Sequence, residues 1–190
     1  DHPSRGTGFL AAYLAPVLAP GCGAAESFSC CTFVDMFEEA GVPTSLFHGG
    51  FGLLPLRQVK KPTFHLYAFM SRMCDAVLAR GEDHLVCRTA DGTVTVLAWA
   101  PVEATGEPAP AGHRVRLSIP VGDVRTAFAL RSSVSEEAGN AWAAWGELGR
   151  PASPTERQLS VLREAAEPSR RHQALPVLGG RVDLDLALGQ

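Results

Sequence analysis

The feature that most constrains the fold of this chain is a change of hydrophobic period at Gly81. Before it, apolar residues recur at helical spacing. In residues 7–19 (TGFLAAYLAPVLA), Phe9, Leu10, Tyr13, Leu14, Val17 and Leu18 share one face, Thr7 is placed to cap it, and Pro16 is expected to kink or shorten the last turn. A second helix is expected to open at Pro62 and run to about Leu78, with Phe64, Tyr67, Ala68, Cys74, Val77 and Leu78 as its apolar face and Gly81 as its stop. After Gly81 the alternation becomes strict. Residues 85–90, an Asp91-Gly92 turn and residues 93–100 predict a hairpin, because Asp-Gly supplies the positive φ angles of a tight turn. Residues 113–119, 124–130 and 181–188 read as further strands, and 102–112 as a Pro-rich loop. About five short strands with turn chemistry between them argue for a small antiparallel sandwich, interrupted by Trp142, Trp145 and a helix near 154–166.

Between the two helical stretches, after a Gly-Cys-Gly break at 21–23, residues 27–34 (SFSCCTFV) have the length and flanks of a buried strand. Helix, glycine break and buried strand form the rhythm of an α/β protein with parallel strands. The sequence therefore divides near Arg80 into an α/β part (1–79) and a β part (80–190).

Composition removes several classes of function. A net charge of -3, with two lysines and fifteen arginines that form no basic stripe, lacks the electrostatic footprint of a nucleic-acid binder. No apolar run approaches the roughly 20 residues of a membrane-spanning helix. The five cysteines (Cys22, Cys30, Cys31, Cys74, Cys87) are odd in number and lack zinc-site spacing, so reduced thiols are expected and a cytoplasmic setting is favoured over a secreted one. No metal or cofactor is called for. Because residues 1–3 (DHP) carry neither an initiator Met nor a signal-peptide pattern, the chain is expected to begin inside a longer protein.

Chemistry has four candidate locations. Glu38 and Glu39 follow the expected strand in a loop rich in glycine and aromatics; they suit either hydrogen bonding to sugar hydroxyls or capping of a short helix. His48, with Gly49, Gly50, Phe51 and Gly52, allows close backbone approach to a ligand, or a tight turn carrying a surface histidine. Cys30 and Cys31 would point to opposite faces of a strand, which favours packing over joint binding of one ion. Trp142 and Trp145, three apart, share a helix face that suits either interdomain packing or a sugar platform.

Two runs carry a resemblance to a known family. CTFVDMFEEAGVPTSLFHGGFGLL (31–54) is similar to the YWTFSDIFEE and FHGGFGLL segments of glycoside hydrolase family 39, the β-xylosidase family. GNAWAAWGELGRPASPTERQLSVL (139–162) resembles that family's NAYxxWxxMGxPxxPT segment. The resemblance covers nearly the whole chain in order. It implies that residues 1–79 are the C-terminal end of a (β/α)8 TIM barrel (helix 7, strand 8, helix 8), followed at 80–190 by an antiparallel β-sandwich. It further implies that Glu38 and Glu39 hydrogen-bond the glycone of a β-xyloside or related saccharide, and that His48 and Phe51 border the pocket. Both catalytic glutamates of such a retaining enzyme, after strands 4 and 7, would lie upstream of Asp1, so no catalytic residue is expected here and the rest of the barrel, or another chain, is the expected partner. The family's Tyr-Trp stands here as Cys30-Cys31, which puts Cys31 where a tryptophan would stack on the sugar.

Overall fold

The computed structural model describes residues 3–19, 27–36, 41–73, 76–102 and 112–188. Helix α1 (Gly8–Leu18) begins where Thr7 Oγ1 accepts the amide of Phe9, and it runs through Pro16 to close with the Ala19 amide on the Ala15 carbonyl. Helix α2 (Pro62–Met70) has its proline in the first turn, as expected, but stops eight residues early. Val77 and Leu78, assigned above to its apolar face, lie instead in strand β1 (Ala76–Arg80). The ladder to the next strand captures them: Val77 pairs with Cys87 and Arg80 with Leu85.

Strands β2 (His84–Arg88) and β3 (Val94–Ala98) form the expected hairpin, and β1-β2-β3 is one antiparallel sheet. The turn differs from the tight one expected. Thr89 and Thr93 close a three-residue loop in which Gly92 has a φ of 87° and is the position that needs glycine. Asp91 instead turns its carboxylate onto the amide of Thr93, an Asx-type bond that holds the second half of the loop.

Strand β4 (His113–Pro120) pairs antiparallel with β7 (Arg181–Leu188), and β5 (Thr126–Ser133) with β6 (Ser169–Pro176). In β4 the expected alternation holds, with Val115 and Ile119 buried while Arg114, Arg116 and Ser118 face solvent beside Asp183 and Asp185 of β7. Side chains tie the sheets together: Arg88 donates to the Pro120 carbonyl and Arg131 to that of Ala187. At the start of β2, Asp83 accepts hydrogen bonds from His84 Nδ1 at 2.7 Å and His113 Nε2 at 2.9 Å. Burial would raise the Asp83 carboxyl, but these two bonds outweigh it and hold it below the usual carboxylate range.

Helices α3 (Ala141–Glu147) and α4 (Glu156–Ala165) fill the interruption in the strands. Thr155 and Gln158 form a reciprocal capping box at the start of α4. Two apolar cores result. One joins Leu46, Phe47 and Val59 to Ala141, Trp145, Leu159, Leu162 and Ala166. The other joins Ala15, Ala19 and Leu66 to Leu85, Cys87, Leu97 and Trp99. Both draw on residues from either side of Gly81.

Residues 27–34, read as a buried strand, form no ladder. Their described pairing is one parallel bridge, Val34 to Leu54, and Phe33 is 60% exposed. The contact with 53–54 is confined to residues 32–35, too short to make a ladder of the whole run. No described helix is long and apolar enough to cross a membrane.

Candidate functional site

Two segments meet ahead of helix α2. The chain at 32–36 lies against 52–54, with the Asp35 amide on the Leu54 carbonyl at 2.8 Å and the Leu54 amide on that of Phe33 at 3.0 Å. This contact sets the loop 47–52 (FHGGFG) directly over Asp35. Gly49 has a φ of 84°, a backbone conformation side chains disfavour. Gly50 and Gly52 have no room for side chains: a Cβ on either would come within 2.6 Å of Asp35 or its backbone.

The polar centre of this contact is an ion pair with no role in the sequence reading. Lys61 Nζ donates to Asp35 Oδ2 at 2.7 Å and to the Gly50 carbonyl at 2.8 Å, while Asp35 Oδ1 accepts the Gly52 amide at 2.5 Å. Both side chains are 1% exposed. Burial pulls the Lys61 ammonium below the ordinary lysine range, and its bond to Asp35 offsets part of that. The signal that would have found the pair is compositional. In a chain that otherwise uses arginine for its cations, the two lysines stand together at 60 and 61, just ahead of the proline that opens α2. Lys60 makes a different contact, an ion pair with Glu167 beyond the end of α4.

Of the predicted site residues, the structure places three. Phe51 is 55% exposed at the crest of the loop, and the guanidinium of Arg5 stacks 3.6 Å over its ring while donating to the Gly49 carbonyl. His48 is half-buried, and its buried Nδ1 has no hydrogen-bond partner. Cys31 is exposed, whereas Cys30 is half-buried against Tyr67, so the pair divides between two environments and Cys31 is not a packing thiol. Desolvation raises the Cys30 thiol above its ordinary value, with the Tyr67 hydrogen bond acting in opposition. Glu38 and Glu39 lie outside the described residues.

The two tryptophans resolve in favour of packing. Trp145 is buried and donates its indole N–H to the Pro151 carbonyl, and Phe47 packs against both indoles at centroid distances of 5.8 Å (Trp142) and 5.4 Å (Trp145). The residue next to His48 is thereby anchored by helix α3. A small cavity of about 90 Å³ lies between α2 and the β5–β6 pair, lined by Lys60, Phe64, His65, Arg72, Glu167 and Arg170 among others. It is well below the roughly 300–1,000 Å³ of ligand sites, and none of the predicted site residues lines it. Among the described residues no group of three His, Cys, Asp or Glu is arranged to hold a metal ion.

Residues 1–182 match the family described as Glycosyl hydrolases family 39, and the chain belongs to that family. It is 36% identical over 189 residues to a beta-xylosidase of Geobacillus stearothermophilus, a match that takes in 100% of this chain and 37% of that protein. Among solved structures, it resembles the family 39 enzyme from Xanthomonas axonopodis pv. citri with a TM-score of 0.78 at 23% identity, covering 98% of this chain and 40% of that one. A monomeric beta-xylosidase from Caulobacter crescentus CB15 matches with a TM-score of 0.76 at 26% identity, over 98% of this chain and 41% of that one. The chain thus spans about two fifths of the length of these relatives and carries a corresponding part of a glycosidase fold.

Proposed function

We propose that this chain is the C-terminal part of a retaining β-xylosidase that removes terminal β-xylosyl residues. In this reading residues 1–79 close a (β/α)8 barrel and 80–190 form its β-sandwich. The observation that carries it is the 36% identity, over the full chain, to a beta-xylosidase nearly three times as long. Exposed apolar residues support the incomplete barrel. Tyr13, Val17, Phe28, Phe33 and Met36 all face solvent in the first 36 residues, where a bare strand edge is a liability unless something covers it. The remainder of the barrel is the cover we propose.

Glu38 and Glu39 are assigned to the glycone hydroxyls, His48 and Phe51 to the rim of the pocket, and Cys31 to the place of a stacking tryptophan. Cleavage through a covalent glycosyl intermediate needs two carboxylates about 5–5.5 Å apart, one as nucleophile and one as acid and base. We place both upstream of Asp1. The test is turnover of an aryl β-xyloside by the complete protein and by these 190 residues alone. The complete protein should cleave it and the isolated chain should not. Turnover by the isolated chain that disappears in Glu39→Gln would overturn the roles. A complete protein that binds xylosides without cleaving them would make this a carbohydrate-binding module.

A further inference from the structure

We propose that the buried Asp35–Lys61 pair is the positioning clamp of the loop 48–52, so that two side chains unable to touch a substrate set how tightly one is held. The inference rests on the reading of that loop as the rim of a sugar pocket, and it extends that reading to residues behind the rim.

The pair is built to hold backbone. Of its three hydrogen bonds, one joins the two partners and the other two reach out to the Gly50 carbonyl and the Gly52 amide, the residues on either side of Phe51. Neither glycine leaves space for a Cβ against Asp35, so the loop is in direct contact with the clamp. Phe51 is carried between two fixed points, and Arg5 steadies it from outside through its ring and through the Gly49 carbonyl. A buried ion pair adds little net stability, because desolvation of both charges consumes most of their attraction. A pair that also anchors two loop groups earns its place through geometry. Without it the Gly50 carbonyl and Gly52 amide lose their buried partners, and a loop in that state moves outward to find water.

The test variant is Asp35→Asn combined with Lys61→Met, which removes both charges, nearly preserves volume and cuts the bond to Gly50. In the complete protein, hydrogen exchange of the peptide covering 48–52 should quicken at least tenfold while the peptide covering α2 is unchanged. In the complete protein, KM for an aryl β-xyloside should rise at least fivefold with kcat within about twofold, the mark of lost binding shared by ground and transition states. Should the double variant fail to fold, Asp35→Asn with Lys61→Gln, which also removes both charges but keeps polar groups that can hydrogen-bond in place of the pair, should move both readouts the same way by a smaller factor. Loop exchange that stays the same, or that rises only in step with every other peptide, would overturn the clamp, as would an unchanged KM. A parent protein without xyloside turnover would refute the proposed function, while the exchange measurement would still decide the clamp.

Discussion

Replacing Gly52 by alanine adds a single methyl group, and the structure gives the size of the insult. The new Cβ would sit 2.6 Å from the backbone nitrogen of Asp35, 2.6 Å from the carbonyl carbon of Val34 and 2.7 Å from Asp35 Oδ1. Two of these are main-chain atoms, and no rotamer change moves them aside. They are also pinned, since the Asp35 amide is bonded to the Leu54 carbonyl and the Leu54 amide to that of Phe33. The segments must therefore part by about 1 Å, at an overpacking cost of about 1–3 kcal/mol. The Gly52 amide then pulls away from a buried carboxylate, and a hydrogen bond to a charged group contributes about 1.5–3 kcal/mol. The stiffer unfolded chain returns about 0.4–1 kcal/mol. The net loss should be about 2–4 kcal/mol.

Gly146 is the control. It lies near the end of α3 with nothing within 4 Å of its Cβ position, and Gly146→Ala should stabilise by about 0.5–1 kcal/mol. For a chain of this size 1 kcal/mol moves Tm by about 2–4 °C. Melts of the two variants should therefore move in opposite directions, Gly52→Ala down by about 5–15 °C and Gly146→Ala up by a few degrees. A Gly52→Ala variant as stable as the parent, alongside a stabilised Gly146→Ala, would show that the loop does not rest on Asp35.

Thr155→Ala removes the hydroxyl that accepts the Gln158 amide at the start of α4 and leaves only the bond from the residue-155 amide to the Gln158 side chain, so urea unfolding should show a loss of about 1 kcal/mol. His65 gives a pH dependence. It is buried and its Nε2–H donates to the Ala166 carbonyl at 2.6 Å; desolvation lowers its pKa below the ordinary histidine value, and that bond offsets part of the shift. Between the lowered folded value and about 6.5 the unfolded chain binds the proton and the folded chain does not. The contribution is therefore intact above about pH 6.5, falls as pH drops through that value, and levels off below the folded pKa. His65→Gln keeps a donor and cannot titrate, so the parent's stability should decline on acidification relative to the variant's; parallel curves would clear His65.

What the sequence disclosed and what it concealed follow one physical division. β4 and β7 were legible because Val115, Ile119 and Val182 are buried on one face while charged partners occupy the other, so period and burial coincide. Strand β6 escaped notice because Ser-Arg-Arg-His-Gln is almost wholly exposed and has no alternation; only its ladder with β5 makes it a strand. Strand β1 is exposed throughout and was absorbed into the preceding helical pattern. Residues 27–34 show the reverse failure, an apolar run that reads as a buried strand but whose described pairing is the single bridge of Val34 to Leu54. At the site, glycines and His48 drew attention to the loop 48–52, but Asp35 and Lys61, which hold it, are 26 positions apart and meet only once the fold is built.

The period change at Gly81 divides local structure, yet it does not divide burial. Leu46, Phe47 and Val59 are covered by helices drawn from 141–166, and Ala15, Ala19 and Leu66 by strands drawn from 85–99. A fully buried leucine or phenylalanine contributes about 1.5–3 kcal/mol relative to an exposed one. Separating the chain near residue 80 would thus expose apolar residues of both cores on both pieces. The consequence for the loop is direct. Phe47, which packs on Trp142 and Trp145, fixes one end of 48–52 from the C-terminal half, while Asp35 and Lys61 hold its middle from the N-terminal half. Residues 141–166 are therefore more than an appendage to the residues ahead of Gly81, because their helices supply the apolar floor on which the candidate loop stands.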